Sequence, residues 1–285
     1  MTIAEFVYTV LLRPRLLRRA ANATIRAMLP ERVRVGEATV WINPDDPVIS
    51  GALTLGVYER GEIAFFGARF GAEMTFIDVG ANVGLYSAIA LSTPVFRGRV
   101  LAIEPHAESR LYLQKTIESN AAAATSVQIC GLAASDRPGT LTLYKNPENK
   151  GDNRLYPDPL LRGEETVSAD TLDNICGRYG IASAQFIKID VQGAEAQVIR
   201  GATSLLAGSR DCVLMTEFWP YGLSHCGADG LEYLEMLRDL GFRLYELAGN
   251  RGVLAPVGSP QALVERTRGR RYANLVGLKG NPATG

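Results

Sequence analysis

Apolar residues in this chain fall in short unbroken runs, and from Met74 onward these runs alternate with longer stretches of helical spacing. FIDV, VLAI and FIKI are each followed by a stretch in which apolar positions recur three or four residues apart. Unbroken apolar runs suit strands covered on both faces, and the spaced stretches suit amphipathic helices. The pattern predicts strands at 74–79, 99–104, 126–131, 185–190, 211–217, 242–247 and 272–278. Helices are expected at 84–93, 107–120, 193–206 and 229–240. Such alternation specifies an α/β fold with a doubly wound, mostly parallel seven-stranded sheet. GFRLYEL and YANLVGLKG are expected to pair like a hairpin at one edge, and the chain has no internal repeat.

Residues 1–70 precede this rhythm and read as a helical and hairpin extension to a domain spanning 71–285. VRVGEATVWI predicts two short strands around Gly36-Glu37, NPDDP breaks the pattern with turn chemistry, and 57–70 is helical and apolar. Residues 1–34 carry seven arginines against Glu5 and Glu31, a net of +5. Ile3, Val7 and Val10 share one helical face, as do Leu17, Ala21, Ile25 and Met28. Two readings follow: a helical pair packed on the domain or on a second subunit of a homo-oligomer, or an interfacial helix giving peripheral membrane contact through residues 1–30.

Composition narrows the function classes. With 47% hydrophobic and 21% charged residues, the 285-residue chain is an ordinary globular protein with a sizeable core. Thirty basic and thirty acidic residues cancel, which argues against nucleic acid as a partner. Cys130, Cys176, Cys212 and Cys226 are far apart, no C-x-x-C pair exists, and the two histidines are His106 and His225. Neither a zinc site nor a disulfide scaffold is expected, so the compartment is expected to be reducing and cytoplasmic, or peripheral at the inner membrane surface. No apolar run reaches a membrane span, and Arg13 and Pro14 interrupt the first apolar stretch too early for a signal peptide.

The richest chemistry lies in MTFIDVGANVGLY, residues 74–86, where a strand ending in Asp78 turns through Gly80, Asn82 and Gly84 into a helix. Glycines let the backbone approach a ligand, and free N–H groups at a helix start favour an anionic group. The dinucleotide fingerprint G-x-G-x-x-G fails at Asn82 and Leu85, and no G-K-[ST] follows for a phosphate loop. Glu104, ending the second strand, is placed to accept hydrogen bonds from a ribose diol. Between the third and fourth strands of this set, 139–145 reads as an extra strand, and the polar stretch 146–162 reads as an active-site flap.

FIDVGANVGLYS, AIEPHAESRLYLQKTIESN, GLAASDRPGTLTLY, IKIDVQGAEAQVIRGA and EFWP together resemble the FkbM-type class I methyltransferases, which use S-adenosylmethionine. The resemblance spans about residues 43–280 and implies a class I, Rossmann-like sheet with methyl transfer, usually to a hydroxyl of a sugar, polyketide or similar metabolite. Where the family commonly reads D-V-E-G-A-E, this chain has Gln192. By the same resemblance, Asp78, Gly80, Asn82 and Gly84 surround the methionine part of the cofactor, Glu104 holds the ribose, and Leu132 and Ala133 line the adenine. Ser135-Asp136 either contacts the adenine amino group or simply turns the chain, and His106 packs near the adenosine.

Asp190 ends the fourth core strand, at the sheet edge where ligands of open α/β folds gather. Lys188 shares its strand face and either joins Asp190 and Glu217 around the acceptor or makes a structural ion pair. Gly193 and Glu195 start a helix, where capping is the default role for Glu195. Asp190, Glu217 and His225 are the candidate general bases. Asn149, Asp152 and Asn153 of the flap, with Trp219 and Tyr221 beside Phe218, are candidate acceptor contacts. No metal site is predicted, although a divalent ion bridging Asp190 and Glu217 stays open. The competing classes are a nicotinamide-dependent oxidoreductase or epimerase and a non-catalytic cofactor-binding protein.

Overall fold

A computed structural model describes residues 29–122, 125–147 and 149–282. The expectations placed on residues 1–28 lie outside them. Arg32–Val35 (β1) and Ala38–Trp41 (β2) form an antiparallel hairpin, followed by helices Pro47–Thr54 (α1) and Arg60–Arg69 (α2). Thr75–Val79 (β3), Leu85–Leu91 (α3), Arg99–Ile103 (β4), Ala107–Asn120 (α4) and Ser126–Cys130 (β5) build the first half of the main sheet. Ala133–Ser135 (β6), Gly139–Tyr144 (β7) and Glu164–Thr171 (β8) make a separate sheet with β8 in its centre. Leu172–Arg178 (α5) leads to Phe186–Ile189 (β9), Glu195–Arg200 (α6), Thr203–Gly208 (α7) and Cys212–Phe218 (β10). The chain closes with Pro220–His225 (α8), Gly230–Asp239 (α9), Arg243–Ala248 (β11), Val253–Pro256 (β12), Pro260–Arg266 (α10) and Ala273–Lys279 (β13).

The main sheet runs β12-β11-β13-β10-β9-β3-β4-β5. Strands β10, β9, β3, β4 and β5 are parallel, and β13 slots between β10 and β11 antiparallel to both. The chain winds outward from β3 through β4 to β5, then returns and winds the other way from β9 to β10. Strand order therefore reverses between β3 and β9, which opens a crevice at their carboxyl ends.

Alternation within each strand explains the unbroken apolar runs. Ile77, Leu101, Ile187 and Leu214 pack on one face of the sheet, with α5, α7 and α9. Phe76, Val100, Phe186 and Val213 pack on the other, with β2, α1, α2 and α3. Phe66 of α2 sits at the middle of that second layer, its ring 5.0 Å from Phe76 and 4.7 Å from Phe186. Burying aromatic side chains of this size contributes about 2–3 kcal/mol each, so residues 38–70 help hold the sheet that carries the crevice.

Each of the seven expected main-sheet strands appears with its ends within a residue, and α4 matches its expected bounds. Three local expectations change. NPDDP does more than break the chain: Asp46 caps α1 by accepting from the Ile49 N–H at 3.1 Å, and Pro47 fills the first helical position. The helix expected over 193–206 is two, because Gly201 packs its Cα on the Ser135 carbonyl and the chain bends there. β11 and β13 do pair antiparallel, but β12 takes the sheet edge and α10 separates them, so they are not a hairpin. Among the described residues no helix is long and apolar enough to cross a membrane.

Candidate functional site

After β3 the chain folds back on its neighbours. Gly80 and Ala81 both donate their N–H to the Ile103 carbonyl at the end of β4, at 2.9 and 3.0 Å. Gly80 has φ +81°, and a Cβ there would collide with the Asp190 carbonyl, so only glycine lets the ends of β3, β4 and β9 converge. Asn82 donates its N–H to Glu104 Oε2 at 2.9 Å, and His106 donates its N–H to Oε1 at 2.8 Å. Each Glu104 oxygen keeps acceptor capacity for one more donor. Burial pushes this carboxyl up to about 7, against the two backbone bonds that lower it. Asp78 pairs in register with Lys188 and accepts from Ser87 Oγ at 2.8 Å. Its pKa is raised by burial, partly opposed by the Lys188 ammonium.

Two cavities meet here. The first, of about 100 Å³, lies between the 78–83 loop, Glu104 and Ala133-Ala134. The second, of about 540 Å³, extends from the same wall to Glu62, Glu217, Tyr272 and Asn274. Tyr58, Glu59, Lys188, Asp190 and Gln192 line both.

That shared wall is a chain of hydrogen bonds. Lys188 is 7% exposed, and its Nζ lies 3.0 Å from Asp190 Oδ2 and 4.7 Å from the Tyr86 ring centre. Gln192 Nε2 donates to Asp190 Oδ1 at 2.8 Å and to Glu217 Oε2 at 3.4 Å. Burial alone would raise Asp190, but the Lys188 charge and the bonds from Lys188 and Gln192 hold it below the usual carboxylate range. Glu217 goes the other way: burial and the charges of Asp190, Glu195 and Glu59 push it well above that range. Two carboxyls tied to one amide thus have opposite proton affinities.

The flap is docked over both cavities. Asp46, whose Oδ1 caps α1, accepts the Lys150 N–H on Oδ2 at 3.0 Å. Arg154, 5% exposed, pairs with Asp152 at 2.7 Å and Asp158 at 3.0 Å and stacks 4.9 Å from the Trp219 ring centre. Lys150 and Asn153 reach the first cavity, Asn149 and Asp152 the second, and Gly151 both.

Residues 78–244, more than half of the chain, match the methyltransferase FkbM domain, and this span includes the glycine-bearing turn, Glu104 and the Asp190–Lys188 pair. The chain belongs to the FkbM methyltransferase family. It is similar to the AMB antimetabolite synthetase AmbE of Pseudomonas aeruginosa, at 31% identity over 60% of this chain and 10% of that protein. Methyltransferase 1 of Beauveria bassiana is 24% identical over 47% of this chain and 60% of that one. The chain therefore spans a tenth of the first relative and three fifths of the second. Among solved structures, the methyltransferase FkbM from Methylobacillus flagellatus KT aligns over 93% of this chain and 60% of that one, with a TM-score of 0.47 and 14% identity.

Several expected site residues of this FkbM-family chain stand elsewhere. Gly84 caps α3 at φ +87° with its Cα against Leu113 and Thr116; it is a packing glycine outside the cavity wall. Leu132 packs against the core, and its neighbours Ala133 and Ala134 form the wall because β6 begins there. Ser135 is buried in β6, outside the lining of either cavity. His225 is exposed, bonds the Tyr221 carbonyl through Nδ1 at 2.8 Å, and stacks on Tyr156 and Tyr221, away from both cavities. Trp219 and Tyr221 also miss both walls; they lie under Arg154 and Arg270, where they hold the flap. Asn153 faces the first cavity instead of the acceptor side. Asp152 lines the second but is committed to Arg154 and Asn146.

Glu195 caps its loop, accepting from the Val191 and Gly193 N–H groups, and burial pushes it up to about 7. His106 caps α4. Gln192 sits at φ +54° and uses its amide to bridge Asp190 and Glu217, a contact a carboxylate could not donate. Tyr58, Glu59 and Glu62 were missed by the sequence reading, which treats 57–70 as helical packing, and Tyr86 ends the 74–86 motif without an assigned role; the acids of VYERGE are the one cue there. Among the described residues no three His, Cys, Asp or Glu side chains converge as a metal ligand set.

Proposed function

We propose that this FkbM-family protein is an S-adenosylmethionine-dependent O-methyltransferase acting on a hydroxyl of a small polyhydroxylated metabolite. The observation that carries the proposal is the shared wall: a cofactor crevice and a larger cavity meet at Asp190, Gln192 and Lys188, with Glu217 on the far side. The residues of the first cavity fit the cofactor. Asn82 Oδ1 is buried without a hydrogen-bond partner among the described residues, an acceptor suited to an ammonium. Glu104 keeps a free lone pair on each oxygen for a ribose diol. Ala133 and Ala134 leave a flat apolar wall for the base.

When bound, S-adenosylmethionine supplies an electrophilic methyl on a sulfonium. The protein's own work is alignment, water exclusion and proton handling. Lys188 is buried and holds Asp190 ionised at the junction, where the carboxylate accepts a hydrogen bond from the acceptor and fixes its direction. Glu217, when ionised, takes the hydroxyl proton, since its raised proton affinity makes its carboxylate the stronger base of the bridged pair. The docked flap keeps water from the junction.

Incubation with methyl-deuterated S-adenosylmethionine and a panel of sugars and polyols, followed by mass spectrometry, tests the reading. Label on an acceptor oxygen, lost in Glu217→Gln and kept in His225→Ala, is the expected result. Label on nitrogen or carbon, or a larger loss in His225→Ala than in Glu217→Gln, would overturn it.

A further inference from the structure

The second cavity is charged in one sense. Its lining holds Glu59, Glu62, Asp152, Asp190 and Glu217 against Lys188. Lys188 is taken up by Asp190, and Asp152 by Arg154. The other three carboxyls have neutral partners: Tyr86 Oη donates to Glu59 at 2.6 Å, Asn274 Nδ2 donates to Glu62, and Gln192 donates to Glu217. None of the three pairs with a cation among the described residues. Asn149 Oδ1, on the flap side of the same cavity, is buried with no donor among the described residues. At about 540 Å³ the space falls within the range of small-molecule sites, ~300–1,000 Å³.

A wall of this kind disfavours a neutral polyol as its only occupant. Half-buried carboxyls grouped in this way take up protons, and Glu62 and Glu217 both have raised proton affinity, burial being the first cause in each and the Lys188 charge only partly opposing it. An occupant that brings a positive charge removes that penalty. Glu62 lies outside the cofactor crevice, whereas Asp190 is at the junction, so a cation near Glu62 leaves the rest of the molecule facing the bridged pair.

We infer that the acceptor carries a protonated amine as well as the hydroxyl, with the ammonium held by Glu59 and Glu62 and the hydroxyl presented to Asp190 and Glu217. The class is that of amino sugars and aminocyclitols. The ammonium also stabilises Glu217 as a carboxylate, so recognition and activation of the base are coupled. This rests on the methyl-transfer reading, and S-adenosylhomocysteine binding measured on the same samples separates the two: loss of that binding defeats the reading, while intact binding with no amine preference defeats only the inference.

The test compares D-glucosamine, D-glucose and N-acetyl-D-glucosamine as probes on the full chain saturated with S-adenosylhomocysteine, by saturation-transfer NMR and calorimetry. Glucosamine is expected to bind about tenfold or more tightly than the two neutral sugars, as a hydrogen bond to a charged group predicts. Glu62→Gln should remove most of that preference while leaving S-adenosylhomocysteine affinity unchanged. Equal binding of the three sugars, no millimolar binding of glucosamine, or a preference that survives Glu62→Gln would each overturn the inference. If Glu62→Gln fails to fold, Asn274→Ala, which frees the same carboxylate, should keep or strengthen the preference, and its loss there would also count against the assignment.

Discussion

Replacing Glu104 by Gln removes one charge at the point where, on the proposed reading, the crevice holds the cofactor ribose. In the native protein both oxygens accept a backbone N–H, from Asn82 at 2.9 Å and His106 at 2.8 Å, and each retains one free lone pair. A glutamine keeps one such oxygen and turns its NH₂ toward one of the two backbone donors. The loop then has a buried N–H without an acceptor, which costs about 1–3 kcal/mol of stability. The bound ribose loses one charge-assisted hydrogen bond, worth about 1.5–3 kcal/mol, or roughly ten- to hundredfold in affinity. Calorimetric titration with S-adenosylhomocysteine reads this directly, with thermal melting as the control for folding.

The same carboxyl gives a pH signature. Burial lifts it to about 7, so wild-type affinity should weaken as pH falls through that value, because the protonated acid accepts from one hydroxyl fewer. Glu104→Gln should show no such step. A folded variant that binds within about threefold of wild type, or retains the pH step, would refute the reasoning.

Lys188→Met strips the ammonium from between Asp78 and Asp190 and should destabilise the protein by about 3 kcal/mol or more in urea unfolding, as expected when one partner of a buried pair is removed. Gln192→Glu replaces the bridging donor with a third carboxylate, so turnover should fall about tenfold or more and its acidic limb should move to higher pH, which a pH–rate profile detects. Arg154→Ala leaves Asp152 with Asn146 and the buried Asp158 with Arg270 as their remaining side-chain partners, and limited proteolysis should then cut within residues 146–162 while wild type resists. Without ligand, the folded protein should gain stability as pH falls from about 8 to about 6: Glu104 and Glu195 bind protons more tightly folded than unfolded, so their stabilising contribution is lost as pH rises through about 7.

The sheet was legible because its strands are buried on both faces. FIDV and FIKI can fit nowhere else, and their ends carry Asp78 and Asp190 to the crevice by geometry alone. Gly80 and Glu104 were legible for a related reason, since close backbone approach and a strand-end acid leave marks in sequence. Short pieces such as β6 and α8 were not, because three to six residues carry no periodicity and their positions come from tertiary packing. His225 shows the limit of residue type as a guide: its ring chemistry suits a base, but α8 turns it onto Tyr221 and Tyr156. Glu59 and Glu62 show the converse. They look like ordinary surface acids of a helix until the fold of α2 against β13 brings them over the second cavity.

The central claim is that the crevice between β3, β4 and β9 receives an adenosyl sulfonium. Parallel titrations of the full chain with S-adenosylhomocysteine and with NAD test it most directly. Saturable one-to-one binding of S-adenosylhomocysteine, competed by S-adenosylmethionine and with no heat from NAD, is the result the structure predicts. Binding of NAD in place of the adenosyl compound would contradict it.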